Sequence, residues 1–213
     1  GNYNTVVGDN AGTALTTGDD NVAIGYDALK TEDTGGQSIA IGRLALSSQN
    51  NNSTNYNVAV GHTAGRFITT GVQNVLIGAL AGDALTTGNS NVALGYQALT
   101  TNTASHRNTA VGEFSLMNMN ITSNTNAYNT AVGYSAGAAV TTGVNNVLIG
   151  ESVGDALTYA DFNVAMGYQA LSTDTLGNGS TAIGHHALQT QNFSSATTTY
   201  NTEVGYQAGK AVT

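Results

Sequence analysis

The sequence has no proline, no cysteine and no tryptophan among its 213 residues. Without cysteine the chain can form no disulfide and has neither a thiolate nucleophile nor a cysteine-ligated zinc site. The lack of proline is typical of a chain that needs its backbone N–H groups for strand pairing, because proline removes a donor from the ladder. The absence of proline therefore agrees with a β-structure.

Charge is also scarce, since charged residues make up 8% of the chain against 40% hydrophobic residues and 27 glycines. This composition indicates an ordered, turn-rich chain rather than a disordered one. The basic residues are scattered among thirteen acidic ones and the net charge is −8, so we expect no nucleic-acid partner. No apolar run approaches the roughly 18 residues of a transmembrane helix, so we expect no membrane insertion of this segment.

What the sequence does contain is a short motif, usually Asn-x-Ala-aliphatic-Gly, that recurs along the whole chain. It ends at Gly8, Gly25, Gly42, Gly61, Gly78, Gly95, Gly112, Gly133, Gly150, Gly167, Gly184 and Gly205. The common step between these glycines is 25 minus 8, or 17, with occasional insertions of two or four. A fixed period of this length predicts a solenoid whose coils bury their apolar faces against their neighbours. We therefore predict an all-β fold, a parallel β-solenoid of about twelve 17-residue coils.

Each motif carries an aliphatic or β-branched triplet between its Asn and its Gly, such as Val22-Ala23-Ile24. These triplets predict short strands. Because all three residues are apolar, we expect both strand faces to be covered, one by the solenoid interior and the other by a second layer or another chain. Alanine at the centre of eight triplets predicts a surface of close approach in an oligomer.

A second, longer period of four coils divides the single array 1–213 into blocks 9–61, 62–133 and 134–205. The last coil of each block, which is the fourth in the two full blocks, is stretched at 47–56, 115–128 and 187–200 by residues rich in Asn, Ser and Thr. Loops on a rigid scaffold often carry binding functions, so these loops are candidates for a ligand surface. Polar insertions that bind nothing are an equally good interpretation.

The two ends of the array resemble the two parts of one coil. Residues 206–213 match the opening of a coil, and residues 1–8 match the end of one. We therefore expect 206–213 to start a further coil that is completed by 1–8 of a next copy. The copies are either windows of one longer polypeptide or subunits that stack head to tail.

An asparagine heads the motif in ten coils, and Ser38 and Ser180 head the other two. In stacked coils the side-chain amides would lie about 4.8 Å apart and hydrogen-bond along the stack. An amide-lined binding groove is the functional alternative. The predicted stacking ladder consists of Asn4, Asn21, Asn57, Asn74, Asn91, Asn108, Asn129, Asn146, Asn163 and Asn201.

Five Asn-x-Ser/Thr sequons make candidate glycosylation sites of Asn51, Asn52, Asn120, Asn178 and Asn192. Four of them lie in the stretched loops, where a transferase could reach them. Chance sequons are frequent in a sequence this rich in asparagine, which is the alternative explanation.

We predict no catalytic, cofactor-binding or metal-binding residues and therefore no enzyme. His62 and His185 occupy a position that holds tyrosine in other coils, which indicates aromatic filling. A metal site at His185 and His186 is disfavoured because adjacent strand residues point to opposite faces. Asp83 and Asp155 recur one four-coil period apart, which duplication explains without acid–base chemistry.

The motif Asn-Val-Ala-Ile-Gly at 21–25 resembles the Ser-Val-Ala-Ile-Gly repeats of YadA-like head domains in trimeric autotransporter adhesins. The stretch Asn-Thr-Ala-Val-Gly-Tyr-x-Ala at 129–136 is similar to repeats in bacteriophage tail fibres. The resemblance implies a left-handed parallel β-roll, commonly a homotrimer, displayed outside a cell or on a virion.

We therefore expect a non-enzymatic, extracellular fibre or filament segment whose main partner is itself, as a trimer or a head-to-tail polymer. It would belong to a cell surface, a secreted filament or a virion, and it needs no cofactor. The alternative is a trimeric adhesin or a tail-fibre segment whose stretched loops recognise a surface glycan or protein.

Overall fold

The computed structural model describes residues 1–212 and shows an all-β chain, without a helix in that range. Each coil contributes one three-residue strand to a parallel sheet, which has twelve strands between residues 1 and 212. Neighbouring strands come from consecutive coils, so the chain advances by one layer with each coil. The predicted parallel β-solenoid of about twelve coils is confirmed. Thr213, the last residue of the predicted part coil 206–213, lies outside the described residues.

The strands of this main sheet have the bounds that the triplets predict. They are β1 (Thr5–Val7), β2 (Val22–Ile24), β3 (Ile39–Ile41), β4 (Val58–Val60), β5 (Val75–Ile77), β6 (Val92–Leu94), β7 (Thr109–Val111), β8 (Thr130–Val132), β9 (Val147–Ile149), β10 (Val164–Met166), β12 (Thr181–Ile183) and β14 (Thr202–Val204). Two shorter strands, β11 (Gly177–Asn178) and β13 (Thr197–Thr198), pair with each other in parallel.

The stretched loops leave the register of the main sheet unchanged. Ile39 pairs with Val58 across a 19-residue step, and Thr109 pairs with Thr130 across a 21-residue step. Each loop returns to the preceding coil through a parallel pairing: a bridge from Gly36 to Thr54, a bridge from His106 to Asn126, and the β11–β13 pair. The inserted residues therefore project from the rod without shifting the strands.

The strands are buried on one face only. The central residue of β2, Ala23, has no exposed surface, whereas the outward residues Ile39 and Leu94 are 37% and 44% exposed. Successive side chains in a strand point to opposite faces, so the alanines fill the narrow interior of the coil. Within residues 1–212 no second layer covers the outward face, and its covering by another chain stays a prediction. The expectation that the alanines form a surface between chains is wrong, because their side chains lie inside the coil.

Glycine ends each strand for two physical reasons. From Gly8 to Gly205, φ at this position lies between +125° and +142°, a conformation that L side chains rarely adopt. In addition, a Cβ atom built on Gly95 would lie 2.6 Å from the carbonyl carbon and oxygen of Gly112 in the next coil. The coils therefore stack too closely here for any side chain.

Two kinds of coil fill the interior in different ways. Where the fourth residue after the strand-ending glycine is leucine, as at Leu29 and Leu99, that side chain is fully buried. Where it is glycine, as at Gly65 and Gly82, the interior is filled from the seventh residue, by Ile68 and Leu85. The leucine coils carry a different set at the seventh position, namely Glu32, Gln49, Asn102, Met119, Asp174 and Gln191.

These six side chains are all buried. Five of them are polar, so the leucine coils bring polar groups into the interior where the glycine coils have aliphatic ones. Burying a polar group is unfavourable unless it is hydrogen-bonded, so each must find a partner inside the rod.

Candidate functional site

The asparagines that head the motif form hydrogen bonds from coil to coil. Asn74 donates from its backbone N and from Nδ2 to Asn57 Oδ1, at 2.9 and 3.2 Å. Its Nδ2 also donates to the carbonyl oxygen of Gly88, at 2.9 Å. Asn91 and Asn108 repeat the bonds to the preceding asparagine.

Of the ten predicted ladder residues, eight are buried, whereas Asn4 and Asn201 are half-buried. The buried amides bond to the chain itself and are closed to a ligand. The alternative of an amide-lined binding groove is therefore wrong for these eight, Asn21, Asn57, Asn74, Asn91, Asn108, Asn129, Asn146 and Asn163.

Where serine replaces asparagine, a glutamine from the next coil takes over the bonding. Gln49 Nε2 donates to Ser38 Oγ at 2.9 Å, and Gln49 Oε1 accepts from Asn57 Nδ2 at 2.8 Å. Gln191 makes the same two bonds, to Ser180 at 2.9 Å and from Asn201 at 2.7 Å. The interruption of the asparagine series is thus repaired in the same way at two places.

A buried carboxylate completes each of these two networks and holds the adjoining stretched loop. Glu32 accepts from Gln49 Nε2 at 3.0 Å, from Asn55 Nδ2 at 3.0 Å and from the backbone N of Gly35 and Asn51 at 2.8 and 3.4 Å. Four donors surround the group, so both of its oxygens are satisfied as hydrogen-bond acceptors.

Asp174 repeats this arrangement in the third block. It accepts from Gln191 Nε2 at 2.6 Å and from the backbone N of Gly177, Leu176 and Phe193 at 3.0, 3.3 and 3.4 Å. Because Asn51 and Phe193 belong to the stretched loops, both carboxylates anchor a loop to the coil before it.

The middle block uses a different set at the same positions. Asn102, Asn108 and Met119 correspond to Glu32, Ser38 and Gln49, because the spacings within the two sets are identical. Asn102 Oδ1 accepts from Ser105 Oγ at 2.8 Å. These networks were not predicted from the sequence, although an alignment of the three blocks shows the three positions changing together.

A second ladder, made of threonine hydroxyls, runs along another side of the rod. Thr86 Oγ1 donates to the carbonyl oxygen of Thr103 at 2.9 Å, and Thr103 Oγ1 donates to Asn120 Oδ1 at 3.1 Å. Thr158 and Thr175 continue in the same way, and Thr175 donates to Asn192 Oδ1 at 3.1 Å. This ladder, too, was not predicted from the sequence.

The sequon asparagines differ in accessibility. Asn52, Asn120 and Asn192 are exposed, and each accepts a threonine hydroxyl bond at Oδ1. Asn51 is half-buried, and its Nδ2 donates to the carbonyl oxygen of Thr70 at 3.4 Å. Asn178 is half-buried within β11 and accepts at Oδ1 from the backbone N of Asp161 at 2.7 Å.

The outward residues of the main sheet form an apolar strip along the rod, which we call the outer face. It consists of the first and third residues of each strand in the main sheet. The third residue is aliphatic in every coil: Val7, Ile24, Ile41, Val60, Ile77, Leu94, Val111, Val132, Ile149, Met166, Ile183 and Val204. The first residue is aliphatic or threonine, so the outer face carries no charge.

Exposed aromatic residues stand at both edges of the outer face. Tyr96 and Tyr134 follow the strand-ending glycine, whereas Tyr56 and Tyr128 precede the asparagine. His185 lies in the first of these columns between two tyrosines, with 5.2 Å between its ring centroid and those of Tyr168 and Tyr206. This geometry agrees with the interpretation of His185 as an aromatic filler.

Burial shifts the pKa of several titratable side chains away from their usual values. Burial raises the pKa of Asp83 above its usual value, against the opposing effects of Arg66, His62 and Thr63. Burial likewise raises the pKa of Asp155. Burial lowers the pKa of His186, and neighbouring His185 and Lys210 lower it further. Within residues 1–212, no group of three metal-ligating side chains comes together.

A shallow polar cleft of about 290 Å³ lies beside the first stretched loop. Hydroxyl, amide and carboxylate groups surround it, which suits a polar ligand better than an apolar one. Its lining residues are Thr17, Asp19, Asp20, Thr34, Gly36, Gln37, Ser53 and Thr54.

Comparisons with family models, with curated proteins and with solved structures give no match. Between residues 1 and 212 the chain has no helix long and apolar enough to cross a membrane.

Proposed function

We propose that this chain is a non-enzymatic structural segment of an extracellular fibre, built by association with copies of itself. The observation that carries the proposal is the direction of its hydrogen bonds. The backbone pairs of the main sheet, the asparagine amides and the threonine hydroxyls all bond from one coil to the next, along the axis of the rod.

This arrangement suits a rod that resists extension. At coil spacings of about 4.8 Å, twelve coils make a rod of roughly 58 Å. Separating two coils requires the backbone bonds, the amide bond and the hydroxyl bond to break together. A chain whose bonds run along one axis in this way is better adapted to carrying tension than to enclosing a substrate.

The extracellular location is supported by resemblance, and the composition is compatible with it. The chain needs no reduced thiols and no disulfides, so its stability is independent of redox conditions. The motif resembles repeats of surface-displayed and virion proteins. The completion of 206–213 by residues 1–8 of a next copy stays a prediction and would add end-to-end growth to the proposed fibre.

Electron microscopy of the purified protein tests the proposal. We expect elongated assemblies in which several rods associate, with an axial spacing near that of parallel strands. Single rods that stay separate at every concentration would contradict self-association.

Stretching of single molecules is a second test. We expect a high unfolding force that falls when Asn91→Leu interrupts the amide ladder. The control Asn118→Leu changes an exposed residue and should leave the unfolding force unchanged.

A second candidate function is recognition of a surface glycan or protein by the stretched loops. The observation that favours it is the polar cleft beside the first loop, together with the buried anchor at Glu32 that holds this loop in place. Hydroxyl and carboxylate groups in an anchored cleft suit the hydroxyls of a sugar. This function is compatible with a fibre, since loops would project from its side.

Glycan-array binding tests this second function. Saturable binding that Asp20→Ala abolishes would support it. The matched control is Asn145→Ala, because Asn145 occupies the same coil position as Asp20 but lies away from the cleft. Equal binding by the two variants, or no binding by the parent chain, would count against recognition through this cleft.

A further inference from the structure

The outer face is an unusual feature for a surface open to water. Its central residues, such as Ile77 and Leu94, are more than one-third exposed, and the aliphatic column continues through every coil from Val7 to Val204. Contiguous apolar patches larger than a few hundred Å² mark interaction sites in soluble proteins. The face therefore calls for a partner that covers it along its whole length.

We propose that the outer face is the surface on which a second copy of this chain packs, face to face and with the two rods parallel. The proposal rests on the self-association in the proposed function and specifies where it takes place. The two copies would be related by a two-fold axis along the rods, so that coil faces coil at the same height.

The size of the face fits a second copy. Twelve rows at about 4.8 Å and a width of about 15 Å, which includes the aromatic edges, give roughly 900 Å² on each copy. A stable interface of standard size buries about 800 Å² on each partner. The outer face of a single rod therefore provides enough area.

The spacing of the rows also favours a second copy. Side chains of the outer face repeat at the distance between parallel strands, and only a surface with the same repeat can interlock with them over twelve rows. A copy of this chain has that repeat by construction. Since the outer face carries no charge, two copies of this acidic chain can approach there without like-charge repulsion.

The charges at the edges decide the orientation. Arg107 precedes β7 and its ladder residue Asn108, whereas Glu113 follows β7 and Gly112, so the two lie at opposite edges of the same coil. A two-fold axis along the rods exchanges the edges, and Arg107 of each copy then meets Glu113 of the other. In no other coil are both edge residues charged, so this orientation creates no like-charge contact.

Sedimentation velocity of the 213-residue chain across a wide concentration range tests the face. We expect dimers, and we expect Leu94→Asp at the centre of the face to raise their dissociation constant on the order of 100-fold. The control is Phe67→Asp, because Phe67 is similarly exposed but lies in a turn away from the face. Circular dichroism should show both variants folded, since both side chains are at the surface.

Three outcomes are informative in different ways. If the parent chain associates and Leu94→Asp weakens the association while Phe67→Asp does not, association through the outer face is supported. If Leu94→Asp leaves the association unchanged, the copies associate through another surface and only self-association stands. If the parent chain remains a monomer at all concentrations, self-association itself fails, and the proposed function fails with it.

Exchanging two charges tests the parallel orientation of the two copies without changing any residue of the outer face. Arg107→Glu and Glu113→Arg should each weaken the dimer about 3- to 10-fold, because each places two like charges together. The double variant should restore the parent affinity. Dimerisation that depends on Leu94 but is indifferent to these charges would overturn the parallel arrangement.

Discussion

Gln49 Nε2 lies 2.9 Å from Ser38 Oγ, and Gln191 Nε2 lies at the same distance from Ser180 Oγ in the third block. Both glutamines also bond a buried carboxylate, at Glu32 and at Asp174. The pairing shows that serine replaces asparagine in the ladder only where a glutamine and a carboxylate accompany it. The first and third stretched loops project from the rod but are anchored to its interior through these carboxylates.

This network predicts a stability effect that depends on context. In Gln49→Met, Glu32 and Ser38 each lose a hydrogen-bond donor, and Asn57 loses an acceptor. These three polar groups stay buried without that partner, so we expect a loss of about 3 kcal/mol in the free energy of unfolding. Met119 occupies the same position in the middle block without such cost, because Asn102 and Asn108 accompany it. Adding Glu32→Asn and Ser38→Asn to Gln49→Met should therefore recover part of the loss. A triple variant less stable than the single one would contradict the network.

The two kinds of coil predict that one can be converted into the other. Leu99→Gly should cost about 3 to 5 kcal/mol, because it empties the interior at a fully buried site. Adding Asn102→Leu restores the pattern of the glycine coils. The double variant should therefore lose about 1 to 3 kcal/mol less free energy of unfolding than the two single variants lose together. Denaturant unfolding measures both. The control is Leu99→Gly with Thr100→Leu, whose new side chain lies outside the fully buried set and should recover nothing.

The strand-ending glycines allow the cost of backbone strain to be measured separately from the cost of crowding between coils. Gly95→Ala meets both the positive φ and the carbonyl of Gly112, whereas Gly205→Ala has a similar φ but its nearest neighbour is Ala208 Cβ at 3.9 Å. The strained backbone alone costs about 1 to 3 kcal/mol. We expect Gly95→Ala to exceed Gly205→Ala by about 2 kcal/mol or more in the free energy of unfolding, because the coil contact adds to the strain. Equal losses would show that stacking distance is unimportant here.

The raised pKa of Asp83 predicts how stability varies with pH. Because the folded chain holds the proton more tightly than the unfolded chain, ionisation of Asp83 destabilises the fold, and stability decreases as pH rises from the ordinary value of 3.8 through the raised pKa. Asp83→Asn should therefore raise the denaturation midpoint at pH 7, and this gain should shrink towards pH 3.8. The buried Oδ1 atom of Asp83 has no hydrogen-bond partner among residues 1–212, so the amide variant has little to lose at that atom. A gain that is constant with pH would contradict this account.

Much of the architecture could be predicted because it depends on local repetition. The 17-residue period and the triplets around Ala23 and Ala93 predict the strands, their parallel pairing and the number of coils. A glycine that recurs at every strand end likewise predicts a backbone position that excludes side chains. These features follow from one coil and its neighbours, so the sequence by itself determined them.

The tertiary structure decided which groups face inward and how they are satisfied. An apolar triplet has two faces, and only the closed coil shows that Ala23 points inward while Val22 and Ile24 form the outer face. Some coils are filled from the fourth residue after the glycine, as by Leu99, and others from the seventh, as by Leu85. Which of the two fills a coil depends on the volume inside the closed coil. The network of Glu32 and Gln49 joins residues of different coils, and its bonds exist only when the coils are stacked. The local pattern could not determine which side chains face inward or which partners the buried polar groups find, because both depend on packing between coils.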